Sequence, residues 1–182
     1  MKLLINNRNV SLLDLNNNIF DKFLCPFVFY HKKKLILVCS RRKKFFSVYS
    51  DIAFYSLNIL TNETKFIYSL DPSKYFNARY VSFLSPNIIY FKNSFYCFLQ
   101  AKKKNSKVSK IVALQSKDFK KWNEITLDMK NNFSIQTPSI FNLRKKLSLI
   151  CSKHYKEFLI YDLKIKKKKI LINFKDKISL ST

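Results

Sequence analysis

The chain of 182 residues contains no glycine. An average chain of this length carries about a dozen. The absence excludes every phosphate-cradling glycine loop, so neither a P-loop nor a dinucleotide fingerprint can be present. It also constrains the backbone. Tight turns must be built from Asn, Lys or Ser, and left-handed positions are expected to fall most naturally to Asn. Acidic residues are scarce as well: 11 Asp and Glu face 35 Lys and Arg, a net charge of +24. Histidine occurs only as His31 and His154. The four cysteines, Cys25, Cys39, Cys97 and Cys151, show no Cys-x-x-Cys spacing. A zinc site is therefore not expected, nor any other cofactor. The cysteines read as small buried apolar groups. No apolar run reaches the length of a membrane span. The apolar part of Met1–Asn7 is too short for a signal peptide, which makes the cytoplasm the expected compartment.

What is present is a core-forming composition, 47% hydrophobic and 16% aromatic. That is enough for one domain with a sizeable core, and it excludes a disordered chain. Thirty lysines against five arginines, with abundant Asn and Phe, fit AT-rich codons. Selection for a polyanionic partner is the competing explanation of the charge.

Three stretches align without a gap: 24–40, 84–100 and 136–152. Their prolines, Pro26, Pro86 and Pro138, lie 60 and then 52 residues apart. Recurrence at that interval marks a repeat architecture. Two and three residues after each proline stand apolar pairs: Val28-Phe29, Ile88-Ile89 and Ile140-Phe141. A polar break follows, opened by Lys32, Lys92 or Arg144, and then a second apolar run. Each stretch reads as a β-hairpin. The second strand is apolar on both faces, as a sheet between two other layers would be.

Further strand-like segments follow each hairpin. They are Phe45–Tyr49, Tyr55–Leu60 and Lys65–Ser69; then Ile111–Gln115 and Glu124–Leu127; then Phe158–Leu163 and Ile170–Phe174. About four strands per unit predicts an all-β fold, a partial propeller of about three four-stranded antiparallel blades. The expected units are residues 20–78, 79–131 and 132–176 within one domain over 20–182. Residues 1–19 form an N-terminal segment that could add a strand through Leu12, Leu13 and Leu15.

The middle unit carries Ser85-Pro-Asn-Ile-Ile-Tyr, an aromatic-rich strand, and then Ser116-x-Asp118 with Trp122 four residues on. On these residues it resembles a blade of the five-bladed β-propeller glycosidases, the superfamily containing families 32, 43, 62, 68 and 130. The likeness covers roughly residues 20–175. In this reading Asp118 accepts turn hydrogen bonds and Trp122 packs on the blade. The resemblance also implies carboxylates near the propeller axis, a general acid and a base or nucleophile. Carried over position by position, they fall on Cys25, Asn87 and Gln136. None of these can carry the proton. No catalytic residue is therefore expected in this hydrolase-like fold. Asp21, Asp71 and Asp128, in nearby loops, read as turn or cap residues.

Three roles follow. The first is a carbohydrate-recognising module. Asn87, Gln136, Cys25, Arg79 and Tyr80 are its candidate binding residues, Tyr80, Tyr90, Phe91 and Trp122 its stacking faces. Asn87 and Gln136 are then expected to face one concave space. The second is a nucleic-acid-binding protein using basic turns: Lys32–Lys34, Arg41–Lys44, Lys102–Lys104, Arg144–Lys146 and Lys166–Lys169. The third is a non-catalytic fragment or assembly subunit. Three blades do not close a five-bladed ring, so a partner chain or self-association would be needed to cover the open faces.

Overall fold

The computed structural model of the chain describes residues 2–5, 8–11, 22–42, 48–58, 60–61, 63–128, 135–143, 146–153, 157–166 and 169–179. Among the described strands, β1 (Lys2–Ile5) and β2 (Arg8–Ser11) pair only with each other. The rest is three consecutive four-stranded meanders. The first blade is β3 (Lys22–His31), β4 (Lys34–Arg42), β5 (Ser50–Asn58) and β6 (Glu63–Leu70). The second is β7 (Ser82–Phe91), β8 (Ser94–Lys102), β9 (Ser109–Ser116) and β10 (Asn123–Asp128). The third is β11 (Ile135–Leu143), β12 (Lys146–Lys153), β13 (Glu157–Ile165) and β14 (Lys169–Ser179).

Short parallel contacts join the blades: Ser50 beside Ser82, and 126–128 beside 169–171. The Ser50 and Ser82 hydroxyls lie 2.6 Å apart, and Ser50 Oγ also donates to the Phe83 carbonyl at 2.9 Å. The strand order runs from β11 to β3 without closing among the described strands. The chain is thus an all-β partial propeller. No helix of the described residues is long and apolar enough to cross a membrane.

The segments after the first hairpin differ from expectation. Within Phe45–Tyr49, residues 45–47 lie outside the described residues, and Val48 and Tyr49 are not in a strand. One long strand, β5, begins at Ser50 instead. Its Asp51–Tyr55 run is wholly buried, which favours a single central strand over two short ones.

The second strand of each hairpin is buried on both faces, because one face meets its own blade interface and the other the next layer. Phe98 and Leu99, adjacent on β8, are both fully buried. Leu99 belongs to the cluster between the first two blades, with Val38, Phe54 and Trp122. Phe98 belongs to the cluster between the second and third, with Leu149 and Tyr161. Adjacent strand residues point to opposite faces, so one strand serves two cores.

Twelve described residues have positive φ, none of them glycine. Only Asn77, Asn93 and Asn105 are asparagines, so the expected preference for Asn is corrected. The turns after β3 and β7 are two-residue turns, with both central residues left-handed: Lys32 and Lys33 (φ 47° and 61°), Lys92 and Asn93 (φ 47° and 58°). This is the backbone that matches strand twist, and it is favoured even when side chains resist it. A left-handed non-glycine residue costs roughly 1–2 kcal/mol. Glycine would relieve that cost and lose part of the gain to unfolded-state entropy. Lys33→Gly and Lys92→Gly are each expected to raise stability by about 0.5–1 kcal/mol. Urea denaturation checks this, and an unchanged or lower midpoint contradicts it.

Candidate functional site

The three prolines have a common geometric effect. Proline cannot donate to the ladder, so it sits at an irregularity rather than in regular pairing. Register shifts occur between Leu24 and Phe27, between Leu84 and Asn87, and between Gln136 and Ser139. Each bulge contains a left-handed residue directly before the proline: Cys25 (φ 52°), Ser85 (φ 50°) and Thr137 (φ 45°). Such a conformation is uncommon for non-glycine residues and an outlier for a β-branched one. Three repetitions of the same strained position mark the innermost strands as the place where the fold builds something in common.

β7 lies against both β3 and β11, which brings the bulges together. Ser85 Oγ donates to Cys25 Sγ at 3.4 Å, linking the first two. Asn87 Oδ1 accepts from the Ile140 amide at 3.2 Å, tying β7 to the strand that carries Gln136. Gln100 spans the second and third blades: its Oε1 accepts from the Thr137 amide at 3.4 Å, and its Nε2 donates to Ser109 Oγ at 3.0 Å. The Thr137 and Ser152 hydroxyls are 2.8 Å apart. Gln136 Oε1 is buried and has no hydrogen-bond partner among the described residues. A buried acceptor without a donor is costly, which makes this amide the chemically conspicuous group of the cluster.

Cys25, Asn87 and Gln136 therefore occupy neighbouring strands. Cys25 is exposed, unlike the other three thiols, so its reading as a buried apolar group is corrected. β3, β7 and β11 contain no Asp or Glu. The described carboxylates sit elsewhere and are mostly occupied. Asp71 caps a short 3-10 turn by accepting from the Ser73 amide at 2.9 Å. Glu124 accepts from the Phe76 amide. Asp128 is exposed at the end of β10, and Asp21 lies outside the described residues.

Arg79 and Tyr80 do not join this cluster. They line an open cleft of about 300 Å³ with Phe76, Lys110, Glu124 and Ile135, on the flank of β9 and β10. Tyr80 and Trp122 are buried, 8% and 7% exposed, so neither presents a stacking face; Tyr90 is 57% exposed and does. Phe91 is half-buried against the core between the second and third blades. Trp122 Nε1 donates to Tyr68 Oη at 2.8 Å, across to the first blade. Among the described residues no group of three His, Cys, Asp or Glu could hold a metal ion.

Ser116 and Asp118 organise the turn before Trp122. Asp118 Oδ1 accepts from the Lys120 and Lys121 amides, both at 2.9 Å, and from Ser116 Oγ at 3.1 Å. Ser116 Oγ in turn accepts from the Phe119 amide at 2.9 Å. The Lys121 and Lys120 amides, with the Ser116 hydroxyl, hold the Asp118 pKa down from 3.8 to about 2. A depressed folded-state pKa adds stability above the unfolded value, lost as pH falls through the folded one. Stability is therefore expected to decline between about pH 3.8 and 2 through this group. Asp118→Asn should flatten that part of the denaturation-midpoint profile; an unaltered profile contradicts it.

The basic clusters are unequal. Arg41 is 3% exposed and forms a bidentate pair with Asp51, Nε to Oδ1 at 3.0 Å and Nη2 to Oδ2 at 2.6 Å. It is a core residue and not a contact for phosphate, which corrects the reading of Arg41 within Arg41–Lys44; Lys43 and Lys44 lie outside the described residues. Lys32–Lys34 are exposed, as are Lys103 and Lys104. Arg144 and Lys145 lie outside the described residues. Sequence reasoning missed Ser85, Thr137 and Gln100. The first two share the pre-proline position with Cys25, a signal visible in the alignment, whereas Gln100 carries none.

No protein-family model matches the sequence, and no curated protein matches it. Solved structures do. A thermostable family-43 glycoside hydrolase matches at 11% identity with a TM-score of 0.65, over 91% of this chain and 61% of its own. Zg3597, a family 117 glycoside hydrolase of Zobellia galactanivorans, matches at 12% identity with a TM-score of 0.64, over 90% and 58%. The Bombyx mori family-32 β-fructofuranosidase matches at 15% identity with a TM-score of 0.63, over 85% and 37%. This chain thus spans less than two thirds of these structures. At such identities the likeness speaks for the fold, which is that of a glycosidase-like propeller.

Proposed function

We propose that this chain is a carbohydrate-recognising module of the glycosidase-like propeller type, without the standard hydrolytic reaction. The observation that carries it is the bulged proline strand repeated in three blades. It gathers Cys25, Asn87 and Gln136 on inner strands that hold no carboxylate. Hydrolysis of a glycosidic bond calls for two proton-handling or nucleophilic groups at a set separation, and amides supply neither. Amides do bind hydroxyls. Gln136 Oε1, which no described donor occupies, is the acceptor we assign to one. The four free thiols suit a reducing compartment, and we place the protein in the cytoplasm.

The test pairs a glycan array with an activity assay. Binding of a neutral oligosaccharide is expected, weakened about tenfold by Gln136→Ala, as for loss of one ligand hydrogen bond. Simple aryl glycosides are expected to remain intact. Absence of any saccharide ligand overturns the reading. So does turnover that a single Asp→Asn exchange abolishes.

A further inference from the structure

The opposite end of the inner strands carries a second, chemically different surface. Between the hairpins of the first two blades lies a cleft of about 510 Å³, lined by Tyr30, His31, Lys32, Tyr90, Phe95 and Lys117 among others. Tyr30 is 69% exposed and Tyr90 57%, so both rings offer open faces. Tyr90 rests on a packed aromatic floor. Tyr90 lies 4.8 Å from Phe95 between ring centroids, and His31 meets the same Phe95 edge-on at 4.8 Å and Phe119 at 5.3 Å. Burial, with the Lys32 ammonium beside it, lowers the His31 pKa, which favours the neutral imidazole; lysines carry the positive charge of the cleft.

Tyr30 also lines a neighbouring cleft of about 500 Å³, with Lys33, Lys34, Asn58, Glu63 and Lys65. The two clefts meet at Tyr30 and make one strip across the hairpin end. Five lysines line it (32, 33, 34, 65 and 117) against a single carboxylate, Glu63. Asp118, next to Lys117 in sequence, is occupied by its own turn.

We propose that this strip binds single-stranded nucleic acid, with bases stacked on Tyr30 and Tyr90 and the phosphate backbone following the lysines. Open aromatic faces combined with a positively charged track are what sequence-tolerant single-strand binding requires. The lining of the Tyr90 cleft contains no Asp, Glu, Asn or Gln. A neutral saccharide wants planar acceptors for its hydroxyls, and this cleft offers ammonium donors and rings instead. The strip shares no residue with the Cys25, Asn87 and Gln136 cluster, so it does not rest on the carbohydrate reading.

The experiment is fluorescence anisotropy with a labelled oligothymidylate of about 12 nucleotides, titrated at several salt concentrations. Binding is expected to weaken with salt. Lys32→Gln and Lys117→Gln should each flatten the log–log slope by about 0.7. Tyr30→Ala and Tyr90→Ala, both at exposed positions, should each weaken binding roughly 5- to 100-fold. Lys175→Gln, in the third blade, should weaken it less than either strip lysine. Circular dichroism verifies that the variants remain folded. No binding at low salt overturns the proposal. So does binding indifferent to both tyrosines, or loss as large with Lys175→Gln as with Lys32→Gln. Tighter binding of heparin than of oligothymidylate, with both tyrosines dispensable, overturns it in favour of an anionic polysaccharide.

Discussion

Asp51→Ala is expected to lower stability by about 3–5 kcal/mol, the usual cost of leaving one member of a buried ion pair alone. The pair bridges β4 and β5 in register, and both side chains are 4% exposed. The guanidinium also lies over the Phe66 ring, 5.0 Å from its centroid. With the carboxylate gone, Arg41 keeps its charge, because a guanidinium does not deprotonate in proteins. It must then unfold its surroundings or admit water. Total stabilities of single domains run to about 5–15 kcal/mol, so the loss is a large share of the whole. Urea denaturation reads it directly. Replacing both partners with apolar residues, Arg41→Met with Asp51→Leu, should recover most of it, since the desolvation penalty then disappears together with the attraction. A single-variant loss under about 1 kcal/mol contradicts this account.

Phe119→Ala is expected to cost about 3–5 kcal/mol as well, for a different reason. Phe119 lies in the loop between β9 and β10, yet it is 6% exposed. Its ring meets Phe29, Phe54 and Tyr68 of the first blade at 5.3, 5.4 and 6.0 Å, and Phe95 and Trp122 of the second at 5.1 and 5.7 Å. It joins the two blades together with Trp122, which meets Phe54 and Tyr68. Its backbone is left-handed at φ 64°, held there by the Ser116 hydroxyl accepting from its amide. Alanine keeps that conformational cost and leaves a cavity where the ring was. Phe119→Leu, which retains much of the volume, should lose clearly less. Equal losses for the two variants, measured by urea denaturation, would point to the loop rather than the ring.

Much of the fold is legible in the chain because repetition is a pattern of spacing. The three prolines, the doubly apolar strands and the polar breaks each recur in order, and the blades follow from them. The left-handed residue before each proline is not legible. Proline restricts its predecessor, but nothing local says that Cys25, Ser85 and Thr137 should cross to positive φ. That is decided by the need to take a residue without an amide proton out of the ladder. The candidate cluster is half visible in the same way. Alignment places Cys25, Asn87 and Gln136 at related positions, whereas the hydrogen bond from Ile140 to Asn87 and the bridging by Gln100 join strands far apart in the chain.

By itself, the sequence determined the all-β repeat and the lack of carboxylates on the strands that became innermost, since both depend only on which residue stands where. It also determined that every left-handed position would be filled without glycine. The tertiary structure alone decided which charges and rings are available. Arg41 sits in a basic run and is buried against Asp51; Lys32 sits in another and is exposed. Trp122 and Tyr80 are core, while Tyr30 and Tyr90 face outward along one cleft. Exposure depends on what packs against a residue: Arg41 is paired across neighbouring strands of its own blade, and Trp122 reaches Tyr68 of another blade, 54 residues away, where no local pattern reaches.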